Sequence, residues 1–248
     1  MHNTENTHQK ESFSHEEYWE FEKPPTLFDL IRNNMLSNSI RLLIHLGIRF
    51  VFKYYYKFTT HNADQLTHTS SCLIIANHTS HLDALAILSA FPLLRVNSVH
   101  SIAAKDYFFS NALFRMIAFF IANTIPLDRH KRDQESFLYC TKRLAEGSNV
   151  LIFPEGTRSL DGQMHTFKTG IGVLVLQSRC TVVPAYIQGA YESFGKFRIF
   201  PHPGQIKIIF GDKINYPDLE NTKDNRHYIA RDLESRTKQL EKRAKGIE

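Results

Sequence analysis

The chain has 248 residues, of which 42% are hydrophobic and 22% charged, and carries a formal net charge of +5. That apolar content excludes a wholly disordered chain, and the length suits one sizeable domain with appendages. The basic balance favours an anionic partner such as nucleic acid, anionic lipid or a phosphorylated substrate, and it fits a plain soluble protein equally well.

Residues 1–23 are polar and rich in His, Glu, Asn and Ser. They lack the apolar core of a signal peptide and read as a mobile tail. Pro24-Pro25 ends the tail, and Thr26-Leu27-Phe28-Asp29 has the form of a helix cap with Asp in place of Glu. From Ser39 to Phe58 a helix is predicted. Arg41, His45, Arg49, Lys53 and Lys57 recur every four residues and draw a slowly winding basic stripe beside a large apolar, tyrosine-rich face. Such a helix suits the headgroup layer of an anionic membrane, or else packs on its own domain with a solvated basic edge. Residues 24–60 are therefore set apart as an N-terminal amphipathic, membrane-associating element, and 61–248 as one domain. No uninterrupted apolar stretch of about eighteen residues exists, so no spanning helix is expected. The nearest candidates, Ala84–Leu94 and Met116–Leu127, read as buried helices.

Strands are predicted at Cys72–Ala76, Val96–Ala104, Thr124–Leu127, Asn149–Phe153, Thr181–Ile187 and, half-exposed and alternating, Gln205–Phe210. Helices are predicted from near Ser80 to Pro92, over Asn111–Ala122, over Asp133–Glu146 with Phe137, Leu138 and Leu144 inward and Gly147 as the stop, over Ile171–Ser178, and in the charge-laced Lys223–Lys245. Strands alternating with helices give an α/β fold, a mixed sheet flanked by helices under one core. Cys72, Cys140 and Cys180 are odd in number and widely spaced, which suggests neither a disulfide framework nor a zinc site and fits a reducing, cytosol-facing compartment.

Two dense polar segments follow apolar runs: Asn77-His78-Thr79-Ser80-His81-Leu82-Asp83 and Phe153-Pro154-Glu155-Gly156-Thr157-Arg158-Ser159. Polar loops at the ends of buried strands are where an open α/β sheet builds a site. On an ideal helix residues five apart point ~140° away from each other, so His78 and Asp83 cannot meet mid-helix. If a helix starts near Ser80, His78 lies in the loop before it and can fold back to Asp83. The imidazole would then be a base and the carboxylate its orienter. Alternatively Asp83 caps the helix and His78 is a surface residue. In the second segment Arg158 can bind phosphate through two parallel hydrogen bonds, Gly156 allows close backbone approach and Thr157 offers a hydroxyl. Glu155 can fix the arginine or touch the acceptor, and a surface Glu155–Arg158 ion pair is the plainer option. No GxSxG elbow and no activated cysteine is present, so no covalent nucleophile is indicated.

The NHxSxxD pattern of Asn77, His78, Ser80 and Asp83 followed by FPEGTRS resembles the glycerolipid acyltransferase family, in particular its lysophosphatidate acyltransferases. Ile125-Pro126-Leu127-Asp128-Arg129 is similar to the rear of a second family motif, although Asn123-Thr124 replace its usual glycine-led start, and Val182–Ile187 to a fourth. The resemblance covers about Leu66 to Ile214. It implies His78 and Asp83 as catalytic pair, supported by Asn77 and Ser80, and Glu155, Gly156, Thr157, Arg158 and Arg129 on the acceptor phosphate. It also implies an acyl thioester donor, acyl-CoA or acyl-carrier protein, and no metal or cofactor; Lys105 and Lys168 are candidate contacts for such an anionic donor, or else solvated lysines. The implied reaction acylates the sn-2 hydroxyl of 1-acylglycerol 3-phosphate, giving phosphatidate, at the cytoplasmic face of a membrane by a peripheral or shallowly embedded enzyme. Another lysophospholipid or lipid acceptor is the nearest alternative. A metal-dependent hydrolase using His78, His81 and Asp83 would need further ligands and leaves FPEGTRS without a task. A nucleic-acid-binding module has the Arg41–Lys57 stripe but no recognition motif, so no nucleic-acid partner is expected.

Overall fold

The structure, a computed structural model, describes residues 35–67, 71–104, 121, 123–127 and 134–247. The tail, the cap at Thr26, the helix expected over Asn111–Ala122, and Lys105 and Arg129 lie outside the described residues. Strands β1 (Thr59–His61), β2 (Leu73–Ala76), β3 (Val99–Ala104), β4 (Ile125–Leu127), β5 (Asn149–Ile152), β6 (Val182–Gln188) and β7 (Lys207–Phe210) form one sheet in the order β1-β7-β6-β2-β5-β3-β4. Every pairing is parallel except β6 with β7, so the sheet is mixed. The helices are α1 (Met35–Tyr54), α2 (Asp83–Ala90), α3 (Gln134–Ala145), α4 (Gly170–Ser178), α5 (Ala190–Phe194) and α6 (Lys223–Ala244).

The period-2 geometry of a strand sends successive side chains to opposite faces, and β2 divides its residues accordingly. Ile74 and Ala76 join one core with Leu151, Val183, Ala86, Ile87 and Phe52; Leu73 and Ile75 join the other with Val150, Cys140, Leu174 and Leu233. Because β2 is covered on both faces, its run reads as unbroken apolar sequence rather than alternation. The polar α6 contributes Ile229, Ala230 and Leu233 to the second core, and its Leu240 packs separately with Tyr186 and Ile209; full burial of each Ile or Leu stabilises by ~1.5–3 kcal/mol. Gly172 on α4 lets α6 come close: a Cβ there would lie 2.3 Å from the Arg226 carbonyl oxygen. Thr222 caps α6 by accepting from the Asn225 amide.

Several expectations need correction. Val96–Ser98 belong to a 3-10 turn (Leu93–Ser98), and the strand begins at Val99. Leu138 is exposed while Cys140 takes the inward place on α3. In β7, Ile208, Ile209 and Phe210 are all buried, since Ile208 and Phe210 join the Phe52 core on one face while Ile209 packs with Leu240 of α6 on the other. Pro184 lies in the interior strand β6, where it sits one residue before the β7 ladder begins at Ala185. The basic stripe on α1 is not one edge. Positions four apart advance about 40° around a helix, so Arg41 and Lys53 differ by about 120°. Arg41 and His45 are buried, Arg49 donates to the Phe91 carbonyl, and Lys53 is exposed. Ile40, Leu43, Leu46, Phe50, Val51 and Tyr54 form the outward face instead. From Ser39 onward the chain forms one compact unit, so this helix packs with the sheet. Among the described residues no helix is long and apolar enough to cross a membrane.

Candidate active site

Strands β2, β5 and β6 are neighbours running the same way, with Ile75 in register with Ile152 and with Pro184. The segments leaving β2 and β5 therefore emerge side by side at the carboxyl end of the sheet. This is the physical reason that two motifs separated by more than seventy residues of chain meet.

The segment after β2 is fixed by its own polar side chains. Buried Asn77 pairs with the backbone of Ile187 on β6, accepting from its amide at 2.7 Å and donating to its carbonyl at 3.0 Å. Ser80 Oγ donates to the Phe194 carbonyl and accepts from the Leu82 amide. The helix then starts at Asp83, three residues later than the Ser80 start expected. Asp83 is completely buried, and its Oδ2 gathers the amides of Thr79 (2.7 Å) and Ser80 (2.8 Å) and Nδ1 of His78 (2.9 Å). The three residues from Thr79 to His81 form a loop that lets His78 fold back over the first turn of α2. With Nδ1–H donated to a carboxylate, Nε2 is the nitrogen able to take a proton.

The segment after β5 props this arrangement. The His78 ring stacks on Phe153, centroids 4.1 Å apart and planes 13° from parallel. The backbone of His78 is held at both ends: its amide donates to Glu155 Oε1 at 2.8 Å, and its carbonyl accepts from the Ser159 amide at 2.8 Å. The second Glu155 oxygen accepts from the His165 amide. Burial pushes the Glu155 carboxyl up to about 7 against the opposing pull of these two amides. Glu155 is thus an internal prop whose two oxygens hold the His78 and His165 amides rather than the Arg158 guanidinium. Gly156 has φ +72, a conformation glycine adopts without strain, and Lys168 lies across it: a Cβ there would be 2.8 Å from Lys168 Nζ. Lys168, expected on the donor side, consequently borders the Gly156-Thr157-Arg158 turn. Thr157 is exposed, and the half-buried Arg158 guanidinium lies against the ring nitrogens of His81. Burial, and next the Arg158 charge, hold the His81 imidazole below its usual pKa, so it faces the guanidinium as a neutral acceptor.

Two contributors escaped the sequence reading. Phe153 opens the FPEGTRS string, but nothing local says that its ring lies under His78. His81 drew notice only as a metal ligand, whereas it turns to Arg158 while His78 turns to Asp83. Among the described residues no three of His, Cys, Asp and Glu gather to hold a metal ion.

The model of the family described as Acyltransferase matches residues 57–188, spanning both loops. The chain belongs to the acyltransferase family. It is 30% identical over 142 residues to a 1-acyl-sn-glycerol-3-phosphate acyltransferase of Limnanthes douglasii, covering 55% of this chain and 48% of that one. It is 26% identical over 151 residues to the human 1-acyl-sn-glycerol-3-phosphate acyltransferase beta, covering 59% and 51%. The chain thus spans about half the length of the curated relatives it matches. The crystal structure of the 1-acyl-sn-glycerophosphate (LPA) acyltransferase PlsC from Thermotoga maritima superimposes with a TM-score of 0.63 at 20% identity, over 82% of this chain and 81% of that one. That likeness bears out the acyltransferase fold, a mixed sheet flanked by helices.

Proposed function

We propose that this member of the family is an O-acyltransferase that moves a fatty acyl group from an acyl thioester to the sn-2 hydroxyl of 1-acylglycerol 3-phosphate, giving phosphatidate. The observation that carries the reading is the 2.9 Å bond from His78 Nδ1 to buried Asp83 Oδ2, set beside a loop bearing Arg158 and Lys168. In this scheme His78 Nε2 takes the hydroxyl proton as the acceptor oxygen attacks the thioester carbonyl carbon. The tetrahedral intermediate then releases the thiolate as the carbon–sulfur bond breaks, and the imidazolium returns the proton to sulfur. Both substrates sit in the site together, and their proximity supplies much of the rate. Thr157, Arg158 and Lys168 are assigned to the acceptor phosphate, the guanidinium by paired hydrogen bonds and the ammonium as a point charge. The reaction so written needs only these side chains and the two substrates, without a metal or cofactor.

The names of the relatives support lysophosphatidate as acceptor. The outward apolar face of α1 supports peripheral association with a bilayer, and the odd number and wide spacing of the cysteines fit its cytosolic side. The test is a matrix of acyl-CoA and acyl-carrier-protein donors against lysophosphatidate and lysophosphatidylethanolamine, measuring thiol release and acylated product together. One thiol per phosphatidate, with lysophosphatidate preferred, is expected. Equal use of both acceptors would remove the phosphate assignment, and thiol release without acylated lipid would make the protein a thioesterase.

A further inference from the structure

The loop between α5 and β7 runs Lys196-Phe197-Arg198-Ile199-Phe200-Pro201 and is built against the usual economy of burial. Phe197, Ile199 and Phe200 are 75%, 82% and 72% exposed, side by side on a protein whose core has places for such residues. Scattered exposed apolar residues carry no message, but three large ones interleaved with two cations have the composition of an interfacial segment. Lys196 Nζ lies 6.0 Å from the centre of the Phe197 ring, so charge and aromatic surface are presented together.

The loop is anchored at both roots. At its start the Phe194 carbonyl accepts from Ser80 Oγ at 2.7 Å and from the His81 amide at 3.2 Å, and Ser80 and Gly195 form an antiparallel bridge. At its end the Tyr55 hydroxyl donates to the Pro201 carbonyl, and the Ile206 amide donates to the Tyr56 carbonyl. Tyr55 and Tyr56 close α1, and a hollow lined by Phe50, Val51, Tyr54, Tyr55, Tyr56 and Pro201 joins the apolar face of that helix to the loop. Lys53 and Lys57 flank Tyr54–Tyr56 in the chain, Lys196 and Arg198 lie within the loop, and all four are exposed.

We infer that the Lys196–Pro201 loop is a second lipid-docking element, which inserts Phe197, Ile199 and Phe200 into an anionic bilayer beside the catalytic histidine loop. The occupant follows from charge complementarity. Cations alternate with apolar side chains in the loop, and the whole chain is basic, so an anionic headgroup layer answers the charges while acyl chains take the rings. Because the loop root is hydrogen-bonded to Ser80 and His81, docking sets the site against the layer that contains a lysolipid acceptor. This last point rests on the function proposed above; the docking itself does not.

The experiment is co-flotation of the full chain with phosphatidylcholine vesicles, with and without phosphatidylglycerol. The variant Phe197→Ser/Ile199→Ser/Phe200→Ser should lower partition onto the mixed vesicles by ~10-fold or more while its melting temperature stays at the parent value, and Lys196→Glu/Arg198→Glu should abolish the preference for the anionic lipid. Unchanged partition in the triple variant overturns the inference, as does a change confined to self-association in the absence of lipid. A second readout is independent of that variant's folding. With Trp19→Phe as background, a Phe200→Trp reporter should be quenched by lipids brominated on their acyl chains, and absence of quenching overturns insertion. A chain that docks by this loop yet acylates no lysolipid would support the docking and refute the proposed reaction.

Discussion

The loop after β2 and the loop after β5 meet at one place but dispose of their polar groups in opposite ways. In the first, Asn77, Ser80 and Asp83 are buried and bonded inward, and His78 is held at its ring, its amide and its carbonyl. In the second, Glu155 and Ser159 are buried, whereas Thr157 between them is exposed and Gly156 and Arg158 are half-buried, with Lys168 across Gly156. A base must be pre-aligned because misplacement at the reacting atom is costly, whereas an anion-binding turn must stay open to receive its ligand. One half of the site is therefore rigid by construction and the other accessible by construction.

The largest effect should come from the rigid half. His78→Ala should lower kcat by roughly 100- to 10,000-fold, the usual range for a positioned base, with melting temperature little changed because the backbone bonds to Glu155 and Ser159 do not need the ring. Asp83→Asn should lower both kcat and melting temperature, since two backbone amides lose an ionised acceptor along with the imidazole. Steady-state kinetics beside thermal unfolding separates the two, and a His78→Ala protein with parental kcat would remove the assigned base. In the open half, Arg158→Lys should raise the KM for a phosphorylated acceptor by about tenfold with kcat nearly kept, since an ammonium cannot make the paired hydrogen bonds. An unaltered KM would place the phosphate elsewhere.

The smallest effect probes the prop between the halves. The Glu155 carboxyl is raised on folding from its ordinary 4.5 to about 7, so the folded chain binds the extra proton between those values. Its contribution to stability is fully present below the unfolded value and is lost as pH rises through about 7. Glu155→Gln, which resembles the protonated form, should flatten that decline; identical melting-temperature profiles for parent and variant from acid to neutral pH would show that the group does not titrate there.

Much of this was legible because it is written locally. The apolar runs of β2, β5 and β6, the glycine stop at Gly147, and the two polar segments all follow from short-range pattern. What was illegible depends on partners far along the chain. That Glu155 holds an amide 77 residues away cannot be read from its neighbours. The winding of the basic stripe on α1 follows from its four-residue spacing, but which part of it turns inward does not: Arg41 and His45 are buried while Lys53 stays outside. The strand Gln205–Phe210 reads as alternating, and only the packing of distant elements on both its faces, Phe52 on one and Leu240 on the other, buries Ile208, Ile209 and Phe210 together. The short β1 and α5 have too few residues to show any period.

The bond from the His78 main-chain nitrogen to a side-chain carboxyl, instead of to a fixed carbonyl, turns that nitrogen's proton into a spectroscopic gauge. As Glu155 gains or loses its own proton, the magnetic resonance frequency of this single amide shifts with it. The state of the interior beneath the base can then be followed in solution without labelling or altering any group at the mouth of the site.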